Sequence, residues 1–174
     1  MTMSNKYLIS LLLSVFFVKG YTQNPKIEDL TRLNEFYLSD FQEYMYENNF
    51  LFYQANTDEK IKTDTISFIN KQNVIIGFVA SKKKNTVFME NIKEDYFREL
   101  NEDLKHPDFI LVETKVKAKN ILEKTYINTT TENIIEVSVI SGAEQSNQIE
   151  NTYKLTVIKP DKRIFRKYLS QVKN

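Results

Sequence analysis

The chain of 174 residues contains no cysteine and no tryptophan, and it has only three glycines, three prolines and one histidine. Without cysteine the protein has no disulfide, no thiolate-bound zinc or iron–sulfur cluster, and no cysteine nucleophile. So few glycines leave no basis for a glycine-rich phosphate-binding loop. A single histidine also excludes the paired imidazoles that most zinc sites use. The sequence therefore predicts neither a metal nor a cofactor.

The charge balance offers no general attraction for nucleic acid, because 24 basic residues stand against 23 acidic ones. Basic residues cluster at Lys82–Lys84 and in the tail between Lys162 and Lys173. We interpret the first cluster as a solvated hairpin tip and the tail as an edge strand that its charge protects from pairing. We therefore expect no nucleic-acid partner.

The first 22 residues have the pattern of a secretory signal peptide. Lys6 precedes the apolar run Tyr7–Val18, and the small residues Gly20 and Thr22 follow it. A helix over this run would measure roughly 18 Å, which is short of a ~30 Å hydrocarbon core and disfavours the alternative of a membrane anchor. We expect cleavage after Thr22 and an exported protein, periplasmic or secreted. Without cysteine the mature chain is not a lipoprotein, and we expect it to have no stable membrane anchor.

Residues 23–174 are predicted to form a single α+β domain with two helices. From Pro25 onward, apolar residues recur every three or four positions, which predicts one long helix ending at Asn49. A second helix is predicted between Asn91, which serves as its cap, and Pro107, which stops it.

The rest of the chain has the composition of β-strands separated by short polar turns. The predicted strands are Phe50–Ala55, Ile61–Ile69, Val74–Ala80, Thr86–Met89, Phe109–Lys117, Ile121–Asn128, Ile134–Ser141, Ile149–Ile158 and Arg163–Leu169. Their close spacing favours antiparallel hairpins, and we find no internal repeat. Gly77 lies inside the apolar third strand, where it indicates a bulge or a close approach of the backbone.

We therefore expect the two helices to cover one face of a curved antiparallel sheet. This order of elements, a long N-terminal helix followed by strands, resembles the cone-shaped folds of the nuclear transport factor two and cystatin-like superfamilies. The resemblance implies a pocket between the first helix and the sheet.

Acidic residues that interrupt apolar strands are the candidates for acid–base chemistry. They are Asp64, Glu113 and Glu136. A buried carboxyl group beside a second one can act as a general acid. Glu113 and Glu136 also fit an alternating pattern in which they point into solvent, and this is the interpretation that we favour. We assign no catalytic residue.

A second candidate site is an acidic strip on the outer face of the first helix. Asp40, Glu43 and Glu47 recur at helical spacing there and could contact a partner, although such strips are often simply solvated.

The leading functional hypothesis is a small exported module, non-catalytic, that binds an unknown protein or a small apolar ligand or has a structural role. One alternative is a pocket enzyme or ligand carrier on the cone-shaped fold. Another is an immunity or inhibitor protein that acts through the acidic helix. A cavity of several hundred Å³ lined by aromatic side chains and a buried acid would favour the enzyme or carrier, whereas a filled core would favour the module.

Overall fold

A computed structural model describes residues 24–60, 62–81, 84–118, 120–142 and 151–172. The predicted signal peptide lies outside these residues, as does most of the lysine cluster of the predicted hairpin tip. In the part of the chain that is described, no helix has the length and apolar character needed to cross a membrane.

The described residues confirm an α+β protein with an antiparallel sheet. The helices are α1 (Ile27–Leu33), α2 (Leu38–Glu47), α3 (Glu94–Asp103) and α4 (Lys162–Val172). The strands are β1 (Leu51–Asp58), β2 (Thr63–Ile69), β3 (Ile75–Ser81), β4 (Thr86–Ile92), β5 (Phe109–Ala118), β6 (Ile121–Asn128), β7 (Asn133–Ser141) and β8 (Asn151–Ile158).

The strands form one eight-stranded sheet in the order β1-β2-β3-β4-β8-β7-β6-β5. It consists of two consecutive meanders, β1 to β4 and β5 to β8, which join where β4 pairs antiparallel with β8. Each meander is followed by a helix, α3 after the first and α4 after the second. The order of elements therefore occurs twice, although the sequence shows no repeat. The edges of the sheet are β1 and β5.

Helices α1, α2 and α3 pack on the face of the sheet that carries Phe68, Ile76, Met89 and Leu155, which we call the front face. Successive side chains of a strand point to opposite faces, so the back face carries Gly77, Phe88, Thr156 and Glu136. The front face holds the larger core. Fully buried members of that core include Ile27, Leu30, Leu33, Phe41, Met45, Phe68, Ile76, Phe78 and Met89.

The prediction of one long N-terminal helix is wrong, because the chain turns between α1 and α2. The buried Asn34 ends α1 and donates a hydrogen bond from Nδ2 to the Val157 carbonyl oxygen at 2.6 Å. Tyr37 is extended and precedes α2. Leu33 and Phe41 are both buried, so the apolar spacing continues across the break. A tertiary contact to β8 therefore interrupts a pattern that looks continuous in the sequence.

The predicted cap of the second helix is also displaced. Strand β4 continues to Ile92, and α3 begins at Glu94 after the extended Lys93. Asn91 lies within β4 with a φ of 57°, a left-handed conformation that asparagine tolerates better than most residues.

The predicted C-terminal strand, Arg163–Leu169, is wrong, because these residues belong to helix α4. The Asp161 carboxylate accepts hydrogen bonds from the backbone N–H groups of Arg163 and Ile164, which caps the helix. Its apolar residues then recur at helical spacing and pack on the back face; they are Phe165, Tyr168 and Leu169. Helices therefore cover both faces of the sheet, and the element order differs from the one on which the cone-shaped resemblance was based.

Gly77 is explained by an aromatic ring rather than by a bulge. The pairing of β3 with both neighbours continues in regular register through Gly77. The Phe88 side chain on β4 lies directly over it, so that an added Cβ atom would be 2.0 Å from Phe88 Cζ. The absence of a side chain at Gly77 therefore provides the space for the Phe88 ring.

We expect Gly77→Ala to lower the free energy of unfolding by about 1–2 kcal/mol, because the Phe88 ring has to move away from the new methyl group. In a Phe88→Ala background, Gly77→Ala should leave the free energy of unfolding unchanged or raise it. Urea unfolding of the wild type, both single variants and the double variant measures the coupling. An equal cost of Gly77→Ala in both backgrounds would contradict this explanation.

Candidate functional site

The structure separates Asp64 from the other two acidic candidates. Asp64 lies on the same face of β2 as Ile66 and Phe68, but it is further along the strand and is exposed. Its carboxylate accepts a hydrogen bond from the Thr57 hydroxyl at 2.9 Å. It is therefore a surface residue of the β1–β2 hairpin.

Glu113 and Glu136 do lie together, in one cross-strand row on the back face. Thr125 of β6 pairs with Glu113 of β5 on one side and with Glu136 of β7 on the other. Neighbouring strands are about 4.8 Å apart, so the two glutamate backbones are roughly 10 Å from each other. Both side chains are partly exposed, and Glu113 pairs with Lys115 at 3.1 Å. The row does not form the buried carboxyl pair that a general acid requires.

Among the described residues, the buried acid is Glu123, which was not among the candidates predicted from the sequence. Its side chain is only 4% exposed. Lys117 Nζ lies 2.5 Å from Glu123 Oε2, and Lys115 Nζ lies 3.6 Å from Oε1, which has no hydrogen bond. The Glu113 carboxylate, and then Glu123, raise the pKa of the Lys115 ammonium group. These four side chains form an ion cluster that ties the edge strand β5 to β6.

We expect Glu123→Gln to lower the free energy of unfolding by about 1–2 kcal/mol, because two lysine ammonium groups then lose their buried counter-charge. Urea unfolding at low salt measures the loss. Glu113→Gln is the matched control, since Glu113 carries the same side chain in an exposed position on the same cluster. Its effect should be clearly smaller, and an equal loss in both variants would contradict a role of burial.

The space between the helices and the sheet is filled by side chains. The Phe41 ring lies 5.9 Å from the Phe68 ring and 5.0 Å from the Phe78 ring, measured between centroids. All three rings are essentially inaccessible to solvent, as is Met45 beside them. The pocket implied by the resemblance to cone-shaped folds is thus replaced here by a packed aromatic core.

Clefts lined by described residues lie at the rim of the helical layer and have charged walls. One cleft, of about 410 Å³, is lined by residues that include Lys26, Glu102, Asp103, Lys105 and His106. Lys105 and Glu102 pair with each other at 2.6 Å. Across the described ranges, no group of three or more histidine, aspartate or glutamate side chains could hold a metal ion.

A smaller cleft of about 240 Å³ contains the edge of Tyr96. The buried Tyr96 hydroxyl donates a hydrogen bond to the Pro25 carbonyl oxygen. Burial, and then the charge of Asp29, raise the pKa of Tyr96 far above its ordinary value. Tyr96 therefore connects α3 to the segment before α1, and its hydroxyl group stays protonated at neutral pH.

We expect the stability that Tyr96 contributes to be complete below about pH 10 and to be lost as the pH rises above it, because the unfolded tyrosine ionises first. Tyr96→Phe should lower the free energy of unfolding by about 1 kcal/mol at pH 7, through the lost hydrogen bond. Above about pH 10 its stability should fall less steeply than that of the wild type. Urea unfolding as a function of pH measures both effects, with the exposed Tyr37→Phe as control. Parallel curves for wild type and Tyr96→Phe would contradict the assignment.

The acidic strip predicted from helical spacing lies on α2 and is exposed. Asp40, Glu43 and Glu47 all point into solvent. Within the residues that the structure describes, none of the three carboxylates has a lysine or arginine partner. By contrast, Glu94 and Glu102 near the two ends of α3 each pair with a basic residue of their own region. The strip therefore keeps its negative charge uncompensated.

Large apolar side chains lie exposed beside this strip. Leu51 at the start of β1 is 67% exposed, and Tyr46, Phe52 and Tyr53 are each about half exposed. The rings of Tyr46 and Phe52 both pack edge-on against the buried Phe68, at 5.3 and 6.0 Å between centroids. The α2–β1 surface consists of Asp40, Glu43, Tyr46, Glu47, Leu51, Phe52 and Tyr53. Sequence reasoning found its acidic half and missed its aromatic half.

The two edges of the sheet differ in their protection. Every residue of β1 is exposed, and among the described strands it pairs with β2 alone. Strand β5 carries Lys115 and Lys117, shows register shifts at two positions, and has Ile110 and Val112 packed against α4. Charge, irregular register and a covering helix are the usual protections of an edge strand. At its Leu51–Tyr53 end the β1 edge has one register shift, between Phe52 and Gln54, but among the described residues it has neither a lysine or arginine of its own nor a covering helix.

Comparison with protein-family models, with curated proteins and with solved structures gives no match for this chain. What this protein does must therefore be inferred from the chemistry of the α2–β1 surface. Its distinctive feature is an apolar cluster beside uncompensated carboxylates, at an edge of the sheet.

Proposed function

We propose that the protein is an exported, non-catalytic binding module that recognises a protein partner through the α2–β1 surface. The observation that carries the proposal is the exposed cluster of Tyr46, Leu51, Phe52 and Tyr53 beside the acidic strip. The cluster surrounds the β1 edge, with Tyr46 and Phe52 on the front face and Leu51 on the back face. Apolar side chains exposed together on a folded surface are characteristic of interaction sites. Export, either to the periplasm or out of the cell, is part of the proposal and is supported by the pattern of residues 1–22.

The rigidity of the cluster supports binding. Tyr46 and Phe52 already rest on the Phe68 ring, so a partner would immobilise few additional rotamers. Apolar area removed from water contributes about 25 cal/mol per Å², and tyrosine is enriched among the residues that dominate interface energies. The surface thus offers a preorganised anchor.

The filled core supports a binding module over the alternative of a pocket enzyme or a carrier of a small apolar ligand.

The second candidate that an observation favours is an immunity or inhibitor protein. Asp40, Glu43 and Glu47 carry uncompensated charge, which would attract a partner with a basic active site or binding face. Both candidates use the same surface and differ in what the partner does.

The test compares Leu51→Ser with Val116→Ser in affinity capture from the exported fraction. The two residues are matched, because both are edge-strand aliphatics and they are 67% and 69% exposed. We expect a stoichiometric partner that Leu51→Ser weakens by about tenfold, equivalent to about 1.4 kcal/mol, and that Val116→Ser leaves unchanged. Equal effects of the two substitutions, or no stoichiometric partner, would refute the proposal.

A charge-reversed variant separates the two candidates. Changing Asp40, Glu43 and Glu47 to lysine should slow association in either case and reverse its salt dependence, so that added salt speeds association with a basic partner. Only for the inhibitor does the purified partner have an activity that the wild-type protein blocks and the charge-reversed variant blocks less well.

A further inference from the structure

We infer that the partner binds by adding a β-strand to β1, and that it presents an extended segment with apolar residues flanked by lysine or arginine. The inference rests on the proposed function and specifies its binding mode and the chemistry of its partner. A segment of this kind would extend the sheet beyond β1 and cover the apolar end of that strand.

The backbone of β1 supports strand addition. In an antiparallel ladder, alternate residues direct both their N–H and C=O groups to the same neighbour, so about half of the backbone groups of β1 point away from β2. In the described chain no other strand meets them. A guest strand would pair with these groups and obtain its affinity from main-chain hydrogen bonds, while its side chains would provide specificity.

The side chains of β1 indicate where the guest should be apolar. Phe52 lies on the front face against Phe68, whereas Leu51 pairs with Ile69 and therefore lies on the back face. Tyr53 occupies the register shift between Phe52 and Gln54. The first half of β1 thus offers apolar contacts on both faces, and its second half, Ala55–Asp58, is mostly polar.

This asymmetry argues against a second copy of β1 as the guest. In an antiparallel pairing over the full strand, Leu51 of one copy would lie opposite Asp58 of the other, and Tyr53 opposite Asn56. Apolar residues would then meet polar ones along the whole contact. Such a dimer would leave most of the exposed apolar area without a complementary neighbour.

A second copy of β5 is disfavoured for a different reason. Pairing β1 with β5 of the next molecule is a head-to-tail contact, which does not close and would generate an open chain of copies. The two register shifts of β5, at Leu111/Glu113 and Val116/Ala118, would add to the one that β1 has at Phe52/Gln54 and would leave little straight ladder for a long pairing. These features favour a foreign segment over either form of self-association.

The charge of the guest follows from the acidic strip. Asp40, Glu43 and Glu47 belong to α2, whose last turn leads directly into β1. Glu47 is four residues before Leu51, so residues that flank a guest strand at this end of β1 would lie near its carboxylate, which pairs with no lysine or arginine of the described chain. Lysine or arginine in the guest would supply the missing charge, whereas glutamate or aspartate would be repelled.

The experiment uses the processed full-length protein and a synthetic peptide with a central Val-Tyr-Val-Thr-Val run and two lysines at each end. Binding is measured by titration at low and high salt. We expect saturable binding that weakens at least tenfold when the lysines are replaced by glutamates. Absence of saturable binding of the lysine peptide, or equal binding of both peptides, would overturn the inferred partner chemistry.

Backbone pairing is tested with N-methylated versions of the same peptide. Successive amide N–H groups of an extended peptide point to opposite edges, so methylating every second nitrogen blocks one edge and leaves the other free. Two such peptides exist, one for each edge, and at least one of them should keep binding. Methylation of both sets blocks both edges and should weaken binding more than tenfold. Equal binding of the unmethylated and fully methylated peptides would overturn strand addition.

Hydrogen exchange provides a direct structural readout. At saturation with the lysine peptide, outward-facing amides of β1 should exchange at least tenfold more slowly, whereas those of the edge strand β5 should not change. Peptide binding without protection of β1 would overturn strand addition and leave the proposed function intact, because capture of a partner through the α2–β1 surface does not require it. Sedimentation equilibrium of the protein alone should show a monomer, and self-association that Leu51→Ser abolishes would identify a second copy as the occupant instead.

Discussion

The pairing of β4 with β8 is the contact on which the rest of the structure depends. It joins the two consecutive meanders through a pair of strands that lie far apart in the sequence, and in doing so it places β1 and β5 at the edges of one sheet. The paired residues Met89 and Leu155 are both fully buried beneath the helical layer. Both the packed front face and the exposed β1 edge follow from this single junction.

An open sheet must have two edges, and this protein treats them differently. The ion cluster around Glu123, the register shifts of β5 and the packing of α4 all strengthen one edge. At the other edge, Leu51 stays exposed while Tyr46 and Phe52 rest on Phe68. Apolar side chains exposed at a sheet edge carry a risk of aggregation, and the partner proposed above would remove that risk by covering them.

The sequence predicts the elements of the sheet well and the helices less well. Six of the eight strands overlap closely with predicted runs, because alternation and turn residues are local signals. The other two extend clearly further, β1 through the predicted turn to Asp58 and β4 to Ile92. The helix over 24–49 is split since Asn34 bonds to Val157 across the fold, and α4 was mistaken for a strand although Phe165, Tyr168 and Leu169 already have helical spacing.

For the candidate site, the sequence by itself determined that Asp40, Glu43 and Glu47 share one exposed face of a helix, because helical spacing is enough to show this. The absence of cysteine also excludes disulfides and thiolate ligands within this sequence. Only the tertiary structure decided that Glu123 is buried between lysines and that Tyr46 and Phe52 meet on Phe68. The physical reason is that burial and strand order depend on contacts between residues distant in sequence, which no local pattern encodes.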